Sequence, residues 1–251
     1  MSFRATEFEF KHRFWIFFAL FWGSFALFRI DHSYVSVDLA RWIAHHGAAM
    51  SPDQVGRYAW GFVALGALIT GAAALIRSCA TAYLHSAVVQ DTELHSDKIV
   101  ADGPYRHLRN PLYLGTFMCA VGLGTMASRA GFCTMVVGVG LFCLRLILRE
   151  EANLLQSQGD SYRKFVEAVP RVIPSPWPRL PASGRRPNWV DGFFGETFMW
   201  GLALAMAVFA VTKHVVHFYI VMGAGFAVYF LQDILRRIAK KAKVAGSNAN
   251  G

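Results

Sequence analysis

The chain has 251 residues, enough for one sizeable domain, but 55% of them are hydrophobic and only 16% charged. Ordinary soluble domains carry about 25% charge. A mean hydropathy of +0.35 and unbroken apolar runs rich in the 21 Phe, 7 Trp and 8 Tyr exclude disorder, collagen and coiled coil. A net charge of +9 raises nucleic acid as a partner; where the charges fall decides that question.

Taken in chain order, apolar runs occupy 14–28, 58–76, 111–126, 130–144, 193–211 and 215–235. A helix crossing a ~30 Å hydrocarbon core needs about 20 residues. The second, fifth and sixth runs satisfy this. The first spans if Arg13 and Arg29 snorkel, and it reads as an anchor, because no small-residue cleavage site follows it. The third and fourth, separated by residues 127–129, read as a tight helical hairpin. The expected fold is therefore an all-α, polytopic membrane bundle of about six transmembrane helices. Residues 1–76 form N-terminal membrane helices with an external loop at 31–57, which carries a short amphipathic candidate at 37–46. Residues 77–178 form the core, 179–243 the C-terminal membrane helices, and 244–251 a disordered tail. Gly61, Gly66 and Gly71 permit close helix packing. The four cysteines show no C-x-x-C pairing and read as small embedded side chains rather than disulfides or metal ligands.

With six spans, 20 of the 25 Lys and Arg fall in the N-terminus, 77–110, 145–192 and the C-terminus, and five on the other side. The positive-inside rule places the first set, both termini included, in the cytoplasm. The basic balance then reflects topology and contact with anionic membrane lipids, with no call for nucleic acid.

The first cytoplasmic segment ends in DGPYRHLRNPLYLG, residues 102–115. Asp102-Gly103-Pro104 reads as a turn, and Asn110 as an N-cap with Pro111 at the first helical position. These roles leave Tyr105, Arg106, His107, Arg109 and Tyr113 crowded at a helix N-terminus, as either an anion-binding site or a lipid-headgroup anchor. The second segment begins RLILREEANLLQSQGDSYRKFVEAVPRVIP. Arg145 and Arg149 share a helix face, with Glu150 and Glu151 next to them. Gly159 reads as a C-cap and 161–169 as a short amphipathic helix. Pro170, Pro174, Pro176 and Pro178 then set an extended segment that can lie back over the membrane surface.

GPYRHLRNPLYLG followed, 35 residues after Gly115, by EEANLL…GDSYRKFVEAVPRVIP resembles the isoprenylcysteine carboxyl methyltransferase family, which is similar to the phospholipid methyltransferases. The match includes Gly103, Pro104, Tyr105, Arg109, Pro111, Tyr113 and Gly115. It continues through Glu150, Glu151, Leu154, Gly159, Tyr162, Val169, Pro170, Ile173 and Pro174, and covers about residues 80–178. One departure stands out. The family's His before the Pro is Asn110 here, which hydrogen-bonds but takes up no proton.

The resemblance implies an integral membrane methyltransferase using S-adenosylmethionine, held in a cytoplasmic cofactor pocket between helix ends and the proline-rich segment. Gly103, Pro104, Tyr105, Arg109, Asn110, Pro111, Tyr113, Gly115, Glu150 and Glu151 would bind the cofactor. Arg149, Tyr113 and Glu151 would act in catalysis, with Tyr113 and Arg149 on the acceptor side. Consecutive glutamates point about 100° apart on a helix, so one would meet the cofactor, with Glu150 preferred, and the other would pair with Arg106, Arg109 or Arg145. The acceptor would be a lipid or lipophilic small molecule: a prenylcysteine carboxylate, an amine headgroup, a hydroxyl or a thiol. The 18 Arg against 7 Lys suggest a GC-rich bacterial genome and an inner-membrane location, where prenylated proteins are not expected, which favours a lipid or small lipophile. The alternative is an NADPH-dependent sterol or steroid reductase on a similar framework, with Arg106 and Arg109 on a 2′-phosphate. The paired glutamates fit a cationic cofactor better.

Overall fold

The computed structural model describes residues 3–47, 50–84, 101–184 and 186–249, with side chains to residue 239. It is 79% helical, and among the described residues the one extended pairing is an isolated bridge between Tyr34 and Ser128. The elements are α1 (Glu7–Lys11), α2 (Arg13–Ala26), α3 (Val35–His46), α4 (Pro52–Leu84), α5 (Pro111–Gly124), α6 (Arg129–Ala168), α7 (Trp189–Gly195), α8 (Thr197–Thr212) and α9 (Val215–Ala249).

The all-α membrane bundle is the fold that the apolar runs predict. Three helices, α4, α6 and α9, are long and apolar enough to cross a membrane, and α7 with α8 make a fourth if the bent pair is one span. The helices over the first and third runs, α2 and α5, have 14 residues each, short of the ~20 that a span needs. The fifth run is not one continuous helix: α7 and α8 meet at a 64° bend at Glu196. The helix of the fourth run carries on past 144 as α6 to residue 168, as the shared helix face of Arg145 and Arg149 implies. Its break falls at Gly159, which has φ 54° and ψ −126°, a left-handed conformation that glycine adopts without steric cost. The last helix runs on to Ala249, through the tail expected to be disordered; no proline interrupts it there.

Helix α4 is central, packing against α3, α5, α7 and α8. Its crossing with α5 is made by glycines facing each other. A Cβ on Gly66 would stand 2.6 Å from the Gly122 carbonyl oxygen, and one on Gly122 would stand 2.5 Å from that of Gly66. Of the three glycines expected to do this, only Gly66 does; Gly61 and Gly71 face open space. The core beneath holds Met135, Val139, Leu146 and Met206, all with no exposed surface. Cys119 and Cys143 are buried and all four cysteines are free thiols.

The α5–α6 hairpin is tight, as its three-residue separator implies. Ser128 caps α6 by accepting from Gly131 N at 3.1 Å. The loop before α3 seals the same corner: Ala130 N donates to Asp31 Oδ2 at 2.9 Å and Val35 N to the Ala127 carbonyl at 3.1 Å. A carboxylate there also meets the positive end of the α6 dipole. At the other end of α6 the N-terminus docks: Ala5 N donates to the Arg145 carbonyl at 3.0 Å, and Arg145 Nη2 to Glu9 Oε2 at 2.7 Å.

Candidate functional site

Gly103 turns the chain with φ +55°, and the Tyr83 ring lies where its Cβ would stand. Pro104 then starts a one-turn 3-10 helix, Gly103–Arg106, that buries Tyr105. From here the motif runs antiparallel to the proline-rich segment. Arg109 N donates to the Pro170 carbonyl at 3.0 Å, Ser175 N to that of His107 at 2.9 Å and Arg179 N to that of Arg106 at 2.8 Å. His107 Nδ1 donates back to the Ser175 carbonyl at 2.9 Å, Arg106 Nε to that of Leu180 at 2.7 Å, and Asp102 accepts from both N and Oγ of Ser183. Prolines lack the donors for a regular ladder; the residues between them supply these bonds. The segment expected to lie over the membrane surface therefore straps the first motif.

Pro111 opens α5, with Asn110 at the N-cap position, but the Asn110 side chain does not cap it. Its Nδ2 donates to Glu151 Oε1 and to the Arg171 carbonyl, both at 3.2 Å. Glu151 is 5% exposed and lies between two guanidinium groups. Arg109 Nη1 is 3.0 Å from Oε1, and Arg171 meets Oε2 at 2.9 Å from both Nε and Nη2. This carboxylate is charge-compensated and hydrogen-bonded on both oxygens. Glu150, one helical step away, takes a different partner: the Tyr113 hydroxyl donates to its Oε1 at 2.7 Å. Glu151 thus holds the strap, α5 and α6 together, while Glu150 stays outside that network.

A cavity of about 1640 Å³ runs between α2, α4, α8 and α9. Tyr105, Arg109, Asn110, Pro111, Tyr113, Glu150 and Glu151 line one end, and aromatic and methionine side chains such as Phe17, Phe21, Trp60, Phe198 and Met222 line its length. It exceeds the ~300–1,000 Å³ of a typical single-ligand pocket. Its polar end offers a carboxylate, a phenol and a guanidinium whose Nε is buried with no hydrogen-bond partner among the described residues. No group of three or more His, Cys, Asp or Glu among the described residues could hold a metal ion.

Seven of the predicted site residues meet at that end. Gly103, Pro104 and Gly115 stand behind it, Gly115 because a Cβ there would strike the Arg77 side chain. Arg149 faces away: Nη1 donates to the Ala5 carbonyl at 3.1 Å, and its guanidinium lies 5.6 Å from the Phe10 ring centroid. It lines a separate small hollow with Arg4 and Gln156. One residue before Glu150, it points about 100° round the helix, which takes it from the acceptor side to the N-terminal segment. Arg171 is the residue that sequence reasoning missed. It sits inside the second motif, and as the cation between two prolines on the strap it was legible as a partner for one glutamate.

Residues 59–159 match the family model for phospholipid methyltransferase. Over this stretch the chain is similar to the phospholipid methyltransferases. The matched region holds most of α4, all of α5 and α6 up to Gly159, and so both sides of the Tyr113–Glu150 and Arg109–Glu151 contacts. The protein-S-isoprenylcysteine O-methyltransferase of Schizosaccharomyces pombe is 36% identical over 80 residues, 30% of this chain and 33% of that protein. The match thus spans a third of that relative's length. No solved structure matches. The matched stretch takes in the first motif and the paired glutamates of the second, and the reductase alternative has no support among these matches.

Proposed function

We propose that the protein is a membrane-embedded, S-adenosylmethionine-dependent methyltransferase acting on a lipid or lipophilic small molecule at the cytoplasmic face. The observation that carries this reading is the meeting of the two motifs at one polar end of a long apolar cavity, with Glu150 left outside the ion-pair network. The donor set fits the cofactor. Its amino acid part needs an anion receptor, and Arg109 offers a buried, free Nε beside the start of α5. Its cationic groups need a carboxylate, and Glu150 is the glutamate not already neutralised by arginines. When bound, the cofactor supplies a methyl group made electrophilic by a sulfonium.

The residues of the chain hold and exclude. Glu151, through Arg109, Asn110 and Arg171, fixes the strap and the first turn of α5. Tyr113 faces the acceptor side, and the aromatic walls keep water from an alignment-sensitive displacement. The aromatic length of the cavity suits an acceptor with a long apolar part arriving from the bilayer. Tritium-labelled S-adenosylmethionine, purified protein and a membrane lipid extract test the proposal. Label in the lipid fraction, with calorimetric binding of the donor and none of NADPH, is the expected result; tight NADPH binding with no response to the sulfonium compound would refute it.

A further inference from the structure

Where the N-terminal segment docks on α6 it leaves a hollow of about 230 Å³, lined by Arg4, Ala5, Arg149, Ala152, Asn153 and Gln156. Arg149, Asn153 and Gln156 follow one another at steps of four and three residues, so a guanidinium and two amides share one helix face. No Asp or Glu lines the hollow. Glu9 of α1 is engaged by Arg145 at 2.7 Å, and Glu150, next to Arg149 in the chain, accepts from Tyr113. Arg149 is the unsatisfied member. Its Nη1 donates to the Ala5 carbonyl at 3.1 Å, but its Nε is buried with no hydrogen-bond partner among the described residues. The Phe10 ring, 5.6 Å from the guanidinium, offsets part of the cost of holding that charge. A partly buried cation still calls for an anion, and Arg4 adds a second positive charge at the same hollow.

We propose that this hollow is a phosphate site, in which Arg4 and Arg149 hold the phosphate of an anionic membrane lipid and so fasten the N-terminal segment to the helix carrying Glu150 and Glu151. Guanidinium forks and amide N–H groups are the donors that a tetrahedral oxyanion takes best. Free phosphate offers the same oxygens. The neighbouring residues favour the lipid: Phe3 and Phe8 of the same segment are 50% and 68% exposed, and with Arg4 and Lys11 they give it the composition of an element lying in a membrane interface. The site is independent of the methyl transfer proposed above, because Arg149 faces away from the aromatic cavity. The two spaces nevertheless share a wall, since Asn153 lines both. An occupied hollow therefore steadies a residue of the cavity as well as the docked segment.

Amide hydrogen exchange of residues 3–11, in the purified full chain at neutral pH, reads the fastening. In nanodiscs containing phosphatidylglycerol these amides should exchange about tenfold more slowly than in nanodiscs of phosphatidylcholine alone, the size expected of one charge-assisted contact. Gln156→Glu brings an acid to the hollow without touching the Ala5 contact and should abolish the difference, as should Arg149→Gln. Lys164→Gln removes an exposed cation of the same helix outside the hollow and should retain it. Slowing by inorganic phosphate in phosphatidylcholine discs would uphold the site and make its occupant the free ion. Equal exchange in both kinds of disc, with and without phosphate, would overturn the proposal. So would a difference that survives Gln156→Glu and Arg149→Gln, or one that falls as far in Lys164→Gln, since either is the mark of diffuse surface charge.

Discussion

Arg77 and Glu196, 119 positions apart in the chain, meet in a two-point ion pair. Nε lies 2.6 Å from Oε2, and Nη2 lies 3.0 Å from Oε1. Glu196 is 2% exposed and stands at the bend between α7 and α8. The remaining Arg77 nitrogen, Nη1, donates to the Leu112 carbonyl at 3.0 Å and to Thr116 Oγ1 at 2.8 Å, and Thr81 Oγ1 donates to Glu196 at 2.7 Å. One pair therefore ties α4, the first turns of α5 and the broken helix together. It gives Gly115 its reason, because the arginine crosses where a Cβ would stand.

Removing one partner of a buried pair strands the other charge, at a cost of about 3–5 kcal/mol. Glu196→Ala should lower stability by about that much in thermal unfolding of detergent-purified protein. Replacing both groups with apolar side chains of similar size, Arg77→Met with Glu196→Leu, should destabilise less than Glu196→Ala alone. A double variant worse than the single would show that the pair contributes net stability.

That pair also shows where reading the sequence stopped. The apolar runs located every long helix, and the GPY and EE motifs located the residues at one end of the cavity, because each signal is local. The bend at Glu196 was not legible, because the arginine that pairs with the glutamate there lies more than a hundred residues earlier. The same holds for Arg149, whose position beside Glu150 suggested a shared site. Its actual partner, the Ala5 carbonyl, comes from an N-terminal segment whose docking no motif announces. Asn110 was legible as a helix start, but not as a donor to Glu151, since the competing bond is tertiary.

The α4–α5 crossing predicts unequal effects at three glycines of one helix. Gly66→Ala forces a Cβ against the Gly122 carbonyl and Thr125, and should cost about 1–3 kcal/mol as overpacking. Gly61→Ala and Gly71→Ala meet open space and should be neutral or slightly stabilising through helix propensity. Melting temperatures of the three variants decide it; equal losses would mean that the crossing is not the tight point.

The N-terminal latch predicts a response to acid. Glu9 is held down to about 2 from its ordinary 4.5, first by its hydrogen bond from Arg145 and then by the Thr6 amide. A depressed carboxylate stabilises above its unfolded value, and the contribution is lost as pH falls through the folded one. Docking of residues 3–11 should therefore be complete above about pH 4.5 and weaken towards pH 2. Both side chains are about a quarter exposed, so the pair contributes at most about 1 kcal/mol. Protease protection of the N-terminus should follow this curve in the wild type and be flat in Glu9→Gln.

The charge asymmetry predicts that the face bearing Lys164 is cytoplasmic. In a Cys133→Ser background, a cysteine at position 164 should resist impermeant maleimide in intact cells and label in inverted vesicles. Labelling from outside would reverse the proposed orientation of the site.

The last prediction separates the two glutamates. Glu150 has one side-chain hydrogen bond and faces the cavity, whereas Glu151 is tied to Arg109, Asn110 and Arg171. Removing a charge-assisted hydrogen bond costs about 1.5–3 kcal/mol, so Glu150→Gln should weaken S-adenosylmethionine binding roughly ten- to a hundredfold with the fold intact. Glu151→Gln should act differently. It releases two arginines and the strap, so residues 170–183 should gain amide exchange, and affinity should fall because Arg109 is no longer held. Arg171→Ala should reproduce the strap effect, with a smaller loss of affinity, since Arg109 and Asn110 still reach Glu151. Arg109→Ala should lower affinity outright, since an arginine serving only as a lipid anchor would change stability alone. Wild-type affinity in both glutamine variants, with unchanged exchange in the strap, would reduce the pair to a polar helix end and remove the cofactor role assigned to it.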